Sequence, residues 1–243
     1  MKALILNSGM GSRMGVLTAD HPKCMTEISS KDTILSRQLR QLAEAGICEV
    51  VMTTGVFDRA LVSYCQSLEL PLHIIFVNNP KPQETNYIYS IYCARAHLDD
   101  DILLLHGDLV FENRVLDCIL ESSESCMAVS TTLPLPEKDF KAAVRDGRII
   151  KVGTGFFTLS QAGGRPADTL DSQSADTSSH CLDGVFAAQP LYKLLKKDWR
   201  LWLEEIMAFC EAGNVGCYAE DALNWHIDHE DAVGDDLDAD PGQ

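Results

Sequence analysis

The sequence predicts an α/β fold built on a doubly wound, mostly parallel sheet. Three observations predict this fold class. Short apolar runs such as residues 3–6 have the composition of buried central strands. These runs alternate with segments of helical periodicity through the first half of the chain, and such alternation places parallel strands in one sheet. With 243 residues, the chain is also long enough to bury one sizeable core.

The predicted strands and helices of the first half follow one another in order. The first helix is predicted at residues 33–45 because its apolar side chains recur on one face, and Gly46 is suited to end it. Strands are predicted at residues 3–6, 49–54, 72–77, 101–105 and 126–131, and the remaining helices at residues 58–67, 87–97 and 113–120.

The second half of the sequence is predicted to form a small lobe made of a β-hairpin and a helix. Asp146-Gly147 is typical of a tight hairpin turn. Near the end of the lobe, Asp198 is predicted to cap a helix that Gly213 ends. The predicted elements are a hairpin at residues 141–152, a further extension of the sheet at 153–159, a long loop at 161–184 and a helix at 198–212.

A glycine-rich loop follows the first strand directly. It reads Asn7-Ser8-Gly9-Met10-Gly11-Ser12-Arg13, and Lys23 follows Arg13 by ten residues, directly after Pro22. Glycines allow backbone N–H groups to approach a phosphate closely, and small polar residues add further donors. Because Arg13 and Lys23 add two positive charges, the loop is predicted to bind phosphate.

Other glycine-rich motifs fit this loop less well. A Walker A loop needs a Lys-Ser or Lys-Thr pair directly after a glycine, and the loop has none. The dinucleotide fingerprint G-x-G-x-x-G is one residue shorter than the spacing of Gly9, Gly11 and Gly15. A plain tight turn remains the simplest alternative, but it does not account for Arg13 and Lys23.

Polar residues follow three of the predicted strands. The glycine-rich loop, Asn78-Asn79 and His106-Gly107-Asp108 all come directly after strand ends. In an open parallel sheet, ligands bind in the crevice outside the carboxyl ends of the strands, so we expect these groups to face one crevice. Asp108 after an apolar strand is well placed to bind Mg²⁺, with a turn cap as the alternative role. Amide side chains at positions 78 and 79 suit the edge of a pyrimidine base.

These motifs together resemble nucleotidyltransferases that activate a phosphorylated small molecule with an NTP. The matching segments are residues 8–14, Pro22-Lys23, residues 85–92 and residues 106–108. Residues 85–92 look like the N-x-x-S segment of the phosphocholine and 2-aminoethylphosphonate cytidylyltransferase branch, with one extra residue between Asn86 and Ser90. The resemblance covers residues 1–130 well and implies the Rossmann-like, GT-A-like nucleotidyltransferase fold.

The resemblance also implies roles for the residues near the nucleotide. Arg13 would meet the β- and γ-phosphates, and Lys23 the α-phosphate and the incoming phosphate, which makes both catalytic. CTP is the implied nucleotide. The nucleotide-binding residues are then Asn7, Ser8, Gly9, Met10, Gly11, Ser12, Arg13, Lys23, Asn78 and Asn79.

For the metal, the resemblance implies Mg²⁺ bound by Asp108 and by a second carboxylate late in the chain. Residues 225–228, Trp-His-Ile-Asp, resemble the E-I-D-like segment of the family and make Asp228 the expected ligand, with Asp221 as the alternative. The acceptor would meet aromatic, polar and acidic groups, the acids adding negative charge for an amine. The acceptor-binding set is Glu84, Asn86, Tyr87, Ser90, Glu220 and Asp221.

The sequence thus predicts one nucleotidyltransferase domain at residues 1–228. It divides into an NTP-binding core at 1–135 and an acceptor-side lobe at 136–228, followed by an acidic tail at 229–243. The expected reaction is Mg²⁺-dependent transfer of a cytidylyl group to a small phosphorylated or phosphonylated amine or alcohol, with release of pyrophosphate. A sugar-1-phosphate nucleotidyltransferase and a catalytically weak nucleotide-binding module are the alternatives.

Composition limits the partners and the compartment. A formal net charge of −16 argues against nucleic acid as a partner, because phosphate backbones favour basic surfaces. No apolar run is long enough to cross a membrane, and no signal peptide pattern opens the chain. Nine scattered cysteines without metal-binding spacing indicate a reducing cytoplasm. The expected partners are an NTP and a small acceptor, with a homo-oligomer left open.

Overall fold

The protein is described by a computed structural model that covers residues 1–9, 20–155 and 182–235. Two compact units make up the chain. The first contains Met1–Ala128 and Pro190–Ala219, and the second contains Val129–Gln189 and Glu220–Gln243. Residues 190–219 therefore belong with the first unit. The predicted division of one domain after residue 135 stays a prediction.

The first unit is built on a parallel sheet. Its strands are β1 (Lys2–Leu6), β2 (Glu49–Thr54), β3 (His73–Asn78) and β4 (Ile102–His106), in the spatial order β3-β2-β1-β4. All three pairings are parallel, which confirms the predicted fold class. Beyond β4, residues 191–194 pair with it antiparallel; they end the long strand β8 (Leu182–Leu194), which the sequence did not predict.

Helices alternate with the strands, and the first three of them connect the parallel strands. The helices are α1 (Ile34–Glu44), α2 (Asp58–Ser67), α3 (Tyr87–Ala94), α4 (Asn113–Glu121) and α5 (Lys196–Glu211), with short 3₁₀ turns at Lys23–Met25 and Arg95–His97. Strand β5 (Cys126–Ser130) follows α4. Helix α1 begins as predicted because Thr33 and Ser36 form a reciprocal capping box, and Gly46 follows its end with a φ of 78°.

Burial explains why the sheet is central to this unit. Ala3, Leu4 and Ile5 of β1 are fully buried, and so is Leu103 on the neighbouring strand. Consecutive buried residues mean that β1 is covered on both faces, as its apolar run predicted. Among the described residues, no helix is long and apolar enough to cross a membrane.

The second unit contains the predicted hairpin. Strands β6 (Lys141–Arg145) and β7 (Arg148–Gly153) pair antiparallel, and β6 also pairs antiparallel with the first part of β8. Asp146 and Gly147 both have positive φ, 51° and 72°, as the tight turn requires. Helix α6 (Ala219–Asp235) follows, and the side chain of Asn224 hydrogen bonds to both backbone groups of Val152.

Four predicted boundaries need correction. Helix α5 begins at Lys196 without a side-chain cap, and Asp198 lies in its first turn, where its Oδ2 accepts from the hydroxyl of Ser125 at 2.5 Å. Strand β8 begins at residue 182, so the loop predicted at 161–184 ends too late. The helix predicted at 87–97 is α3 followed by a 3₁₀ turn. The tail predicted from residue 229 is helical to Asp235, because α6 continues through it.

Residues 156–181 and 236–243 lie outside the described residues. The predicted extension of the sheet is therefore observed only as far as Gly153, where β7 ends. Most of the predicted loop lies in the first of these ranges. Eight cysteines lie in the described part of the chain, and all eight are free thiols.

Candidate active site

A polar cleft lies at the carboxyl ends of β1, β3 and β4, where the sequence predicts it. Its volume is about 230 Å³. The residues that line it are Leu6, Asn7, Ser8, Gly9, Pro22, Lys23, Cys24, Asn79, Pro82, Thr85, Asn86, Tyr87, His106, Gly107 and Asp108. All of them belong to the first unit.

Lys23 and Asp108 form an ion pair at one end of the cleft. The Lys23 Nζ donates to Asp108 Oδ2 at 2.6 Å, and the two side chains are 39% and 38% exposed. Burial acts to raise the pKa of Asp108, but the hydrogen bond and charge of Lys23 outweigh it and hold the pKa below its usual value. Asp108 is therefore ionised at neutral pH, and both charges are accessible from the cleft.

Between β1 and β4, Asn7 packs directly against Gly107. A Cβ atom on Gly107 would lie 1.5 Å from Asn7 Oδ1, so only glycine leaves room for this side chain. The backbone N–H of Asn7 donates to Thr53 Oγ1 at 3.1 Å. These two contacts fix the start of the glycine-rich loop next to the turn that contains Asp108.

Uncharged side chains form a hydrogen-bonded row that runs from the residues after β3 to Ser8, which follows β1. Ser8 Oγ and Ser90 Oγ lie 2.6 Å apart, and both residues are buried. The amide Nδ2 of Asn79 donates to Ser90 Oγ and to Thr85 Oγ1, each at 3.0 Å. The hydroxyl of Thr85 donates in turn to the carbonyl of Lys81 at 2.7 Å.

The predicted base-reading amides are used inside the protein. Asn78 donates to Thr54 Oγ1 and to the carbonyl of Gly55, and its side chain is not part of the cleft wall. Asn79 is 2% exposed, and both hydrogens of its amide are donated to protein hydroxyls. The side chains of Asn78 and Asn79 therefore position loops. All four amide hydrogens are donated to protein groups, so neither side chain has a free donor for the predicted contact with a nucleobase.

The residues of the first unit that were predicted to bind the acceptor substrate lie around the N-terminus of α3. Asn86 caps the helix through its side chain, and its backbone N–H donates to the carbonyl of Val215 at 2.8 Å. Tyr87 contacts the ring of His106 edge-on, with centroids 4.8 Å apart, and lies 5.8 Å from the ring of Tyr218. Asn86 and Tyr87 line the cleft.

Two further acceptor predictions meet a different outcome. Glu84 is exposed and does not line the cleft. Ser90 is only 1% exposed and hydrogen bonds to Ser8 and Asn79, so it lies behind the cleft wall. For Ser90 to contact the acceptor substrate directly, its hydroxyl would have to give up the hydrogen bond that it forms with Ser8.

The remaining predicted residues belong to the second unit or to undescribed segments. Glu220, Asp221 and Asp228 lie on α6, where Glu220 is buried while Asp221 and Asp228 are exposed. Residues 225–228, which resemble the E-I-D-like segment of the family, are therefore helical. Met10, Gly11, Ser12 and Arg13 lie outside the described residues. Within the described ranges, no group of three or more His, Cys, Asp or Glu residues is arranged to hold a metal.

Sequence reasoning did not single out Thr85 and the backbone of Lys81 as part of the site. The available signal was Asn79-Pro80, because an asparagine often accepts from the backbone N–H two residues later. The N–H of Lys81 donates to Asn79 Oδ1 at 2.8 Å in this way. Thr85 follows in the same turn, and its backbone N–H also donates to the carbonyl of Lys81.

A parallel sheet with a polar cleft and an accessible lysine–aspartate pair at the strand ends is the arrangement of an α/β nucleotide-binding enzyme. Residues 3–147 match the MobA-like NTP transferase domain, and the chain belongs to this family. One relative is the CMP-5′-(3-aminopropyl)phosphonate synthase of Streptomyces rubellomurinus. The two are 36% identical over 135 residues, which are 56% of this chain and 21% of that protein. The chain thus spans about a fifth of this relative's length.

A second relative is the CTP:phosphoglutamine cytidylyltransferase of Campylobacter jejuni, 24% identical over 206 residues that cover 82% of this chain and 80% of that protein. Among solved structures, the CTP:phosphocholine cytidylyltransferase of Streptococcus pneumoniae matches with a TM-score of 0.63. That match covers 94% of this chain and 86% of the other at 16% identity. At this identity the likeness supports the fold.

Proposed function

We propose that this protein transfers the cytidylyl group of CTP to a small phosphorylated or phosphonylated amine, with Mg²⁺ as cofactor and pyrophosphate as second product. The observation that carries the proposal is the Lys23–Asp108 pair at one end of the cleft. A cation and a carboxylate lie within 2.6 Å of each other in a cleft that Gly9 also lines, which supports assigning phosphate to Lys23 and the metal to Asp108.

The residues at this end suit Mg²⁺. The ion prefers hard oxygen ligands and is often bound by one or two carboxylates together with substrate phosphates and water. Asp108 is ionised and partly exposed, so its carboxylate meets this need. Asp228 or Asp221 is proposed as the second ligand. The bound ion would neutralise charge on the phosphates and orient them.

The protein's own groups would do the remaining work by position and charge. Negative charge builds on the α-phosphate and the departing pyrophosphate during the transfer, so fixed donors and cations at these places lower the barrier. Lys23 would bind the α-phosphate and the phosphate of the acceptor, holding nucleophile and target together. Arg13 and the N–H groups of residues 9–12 would bind the β- and γ-phosphates.

The choice of CTP and of an amine rests on the relatives and on the cleft. The names of both relatives contain a cytidine nucleotide, and that of the Streptomyces protein contains an amine-bearing phosphonate. Asn86 and Tyr87 in the cleft wall offer an amide and an aromatic ring to the acceptor. We assign Ser90 a positioning role behind Ser8.

Pyrophosphate release tests this proposal. The purified chain would be assayed with Mg²⁺ and each of four NTPs. Each NTP would be combined with phosphocholine, phosphoethanolamine, 2-aminoethylphosphonate, glycerol 3-phosphate or glucose 1-phosphate. We expect release with CTP and one of the three amines, and mass spectrometry would identify the cytidylylated product.

Two other results would replace the proposal. Release with glucose 1-phosphate and UTP or TTP, and none with CTP and an amine, would identify a sugar-1-phosphate nucleotidyltransferase. Tight binding of CTP without release of pyrophosphate from any pair would indicate a catalytically weak nucleotide-binding module.

A further inference from the structure

The hydrogen-bonded row of Asn79, Ser90 and Ser8 begins at the backbone N–H of Lys81, which fixes the direction of the first hydrogen bond. The backbone N–H of Lys81 can only donate, so the Asn79 atom that it meets at 2.8 Å is the acceptor Oδ1. The other amide atom of Asn79 is therefore Nδ2. It donates its two hydrogens to Thr85 Oγ1 and to Ser90 Oγ.

The hydroxyl of Ser90 then has one proton to place. Ser90 is 1% exposed, and among the described residues its Oγ has two partners, Asn79 and Ser8. Because Asn79 donates to it, the Ser90 proton reaches an acceptor only by going to Ser8 Oγ, 2.6 Å away. A buried hydroxyl proton without an acceptor is destabilising, so Ser90 donates to Ser8.

Ser8 therefore accepts from Ser90, and its own proton is directed away from Ser90. Ser8 belongs to the cleft wall. Its backbone is held in place by Gly55, where a Cβ atom would lie 2.4 Å from the carbonyl oxygen of Ser8. We propose that the hydroxyl of Ser8, directed by Asn79 and Ser90, is a hydrogen-bond donor that selects a nucleobase with an acceptor nitrogen at this point.

The distribution of charge indicates which part of the nucleotide meets Ser8. Asp108 and its partner Lys23 lie beside β4 at one end of the parallel strand order, whereas Asn79 and Thr85 follow β3 at the other end. Ser8 follows β1, next to β4, and is joined to the uncharged Asn79 and Thr85 through Ser90. A nucleoside triphosphate has the same division, with charged phosphates and a neutral base. The phosphates therefore suit the Lys23–Asp108 pair, and the base suits the uncharged row that begins at Ser8 and extends toward β3.

Among pyrimidines, a fixed donor distinguishes cytosine from uracil. N3 of cytosine is an acceptor, whereas N3 of uracil carries a hydrogen and would oppose the proton of Ser8. This inference rests on the proposed function, in which a nucleotide occupies the cleft. It adds that Ser8 sets the base preference, and that Asn79 and Ser90 set the direction in which the hydroxyl of Ser8 donates its proton.

Calorimetric titration of three nucleotides tests the inference. CTP, UTP and 3-deaza-CTP, which has a C–H group in place of N3, would be titrated with Mg²⁺ into the wild type, Ser8→Ala and Ser90→Ala. We expect the wild type to bind CTP about tenfold more tightly than 3-deaza-CTP or UTP, the effect of one hydrogen bond to a buried donor. Ser8→Ala should bind CTP and 3-deaza-CTP within about twofold of each other.

The two serine variants should differ in a way that separates positioning from general damage. In Ser90→Ala the hydroxyl of Ser8 can turn and either donate or accept. Relative to the wild type, the ratio of CTP affinity to UTP affinity should therefore fall by a larger factor than the affinity for CTP itself. Ser67→Ala, which changes an exposed serine on α2, is the matched control and should keep the wild-type ratio.

The inference is overturned if Ser8→Ala keeps the wild-type discrimination, or if the wild type binds 3-deaza-CTP as tightly as CTP. Pyrophosphate release with CTP in the same preparation would then show that the proposed function survives without it. If the wild type binds none of the three nucleotides, the proposed function fails, and the role of Ser8 fails with it.

Discussion

The ammonium nitrogen of Lys23 lies 2.6 Å from Oδ2 of Asp108, so the cation proposed to bind phosphate and the carboxylate proposed to bind metal neutralise each other. A triphosphate that binds Lys23 competes with Asp108 for its charge, and a metal that binds Asp108 competes with Lys23. Phosphate and metal arriving together satisfy both partners at once. The pair should therefore couple nucleotide binding to metal binding.

Asp108→Asn tests this coupling directly. In EDTA, the variant should bind CTP about threefold more tightly than the wild type, because Lys23 no longer has a carboxylate partner and a partly exposed ion pair is worth little more. In Mg²⁺, the wild type should gain affinity and the variant should not. Titration calorimetry in the two buffers measures both effects.

Asp117→Asn on α4 is the control, since this carboxylate is exposed and is not among the residues that line the cleft. Weaker binding of CTP to Asp108→Asn in EDTA would contradict the coupling.

Lys23→Met should lower kcat/KM by about a hundredfold or more, because it removes the charge that we propose stabilises the transition state. Methionine keeps the apolar stem, so the packing of the 3₁₀ turn is largely preserved. Steady-state rates of pyrophosphate release measure the change. Lys31→Met, at an exposed lysine, should leave the rate unaltered. A loss of less than about threefold would remove Lys23 from the reaction.

Gly107→Ala should destabilise the protein by about 1–3 kcal/mol, because its Cβ would overlap Asn7 Oδ1 and force that side chain to move. The same shift disturbs the start of the glycine-rich loop, so the affinity for CTP should fall as well. Urea denaturation and CTP titration measure the two effects. Gly216→Ala adds a Cβ with nothing within 4 Å and should change neither quantity. Equal stability of the two variants would show that Asn7 moves freely.

Cys24 should resist alkylation although it lines the cleft. Its side chain is 1% exposed, and burial, with a smaller contribution from Cys65, raises the pKa of its thiol. A raised pKa keeps the thiol protonated at pH 8, and the thiolate is the reactive form. Peptide mass spectrometry after iodoacetamide treatment at pH 8 should find Cys48 and Cys118, which are exposed, modified first. Labelling of Cys24 at the rate of Cys48 would mean that the cleft opens to solvent.

The sequence predicts an element well where the signals for that element are local. The helix at 33–45 has a capping residue, an apolar face and a terminal glycine, and the hairpin has an Asp-Gly turn with the required positive φ values. Strand β8 gives no such signal, since Pro190 interrupts it and it follows a long segment rich in small polar residues.

Prediction of the site shows the same limit. Asp108 was predicted to face the crevice because it follows a strand, and Lys23 to bind phosphate because of its spacing from Arg13 and its neighbour Pro22. The structure places the two side chains in contact, although their roles stay predictions. The amides of Asn78 and Asn79 were predicted to reach a base because they follow a strand. Their amide groups instead donate to Thr54, Thr85 and Ser90. The tertiary fold brings these partners together, so a local sequence pattern could not predict them.

The first unit is discontinuous in the chain, and this affects how it can fold during synthesis. The edge of β4 pairs with residues 191–194, and the indole of Trp199 donates to the carbonyl of Leu98. A ribosome must therefore make residues 129–189 before the segment that completes this unit emerges. Until then β4 is an apolar strand with an open edge, the kind of surface that pairs with other chains. Nascent chains should be most prone to aggregate while residues 129–189 are being synthesised.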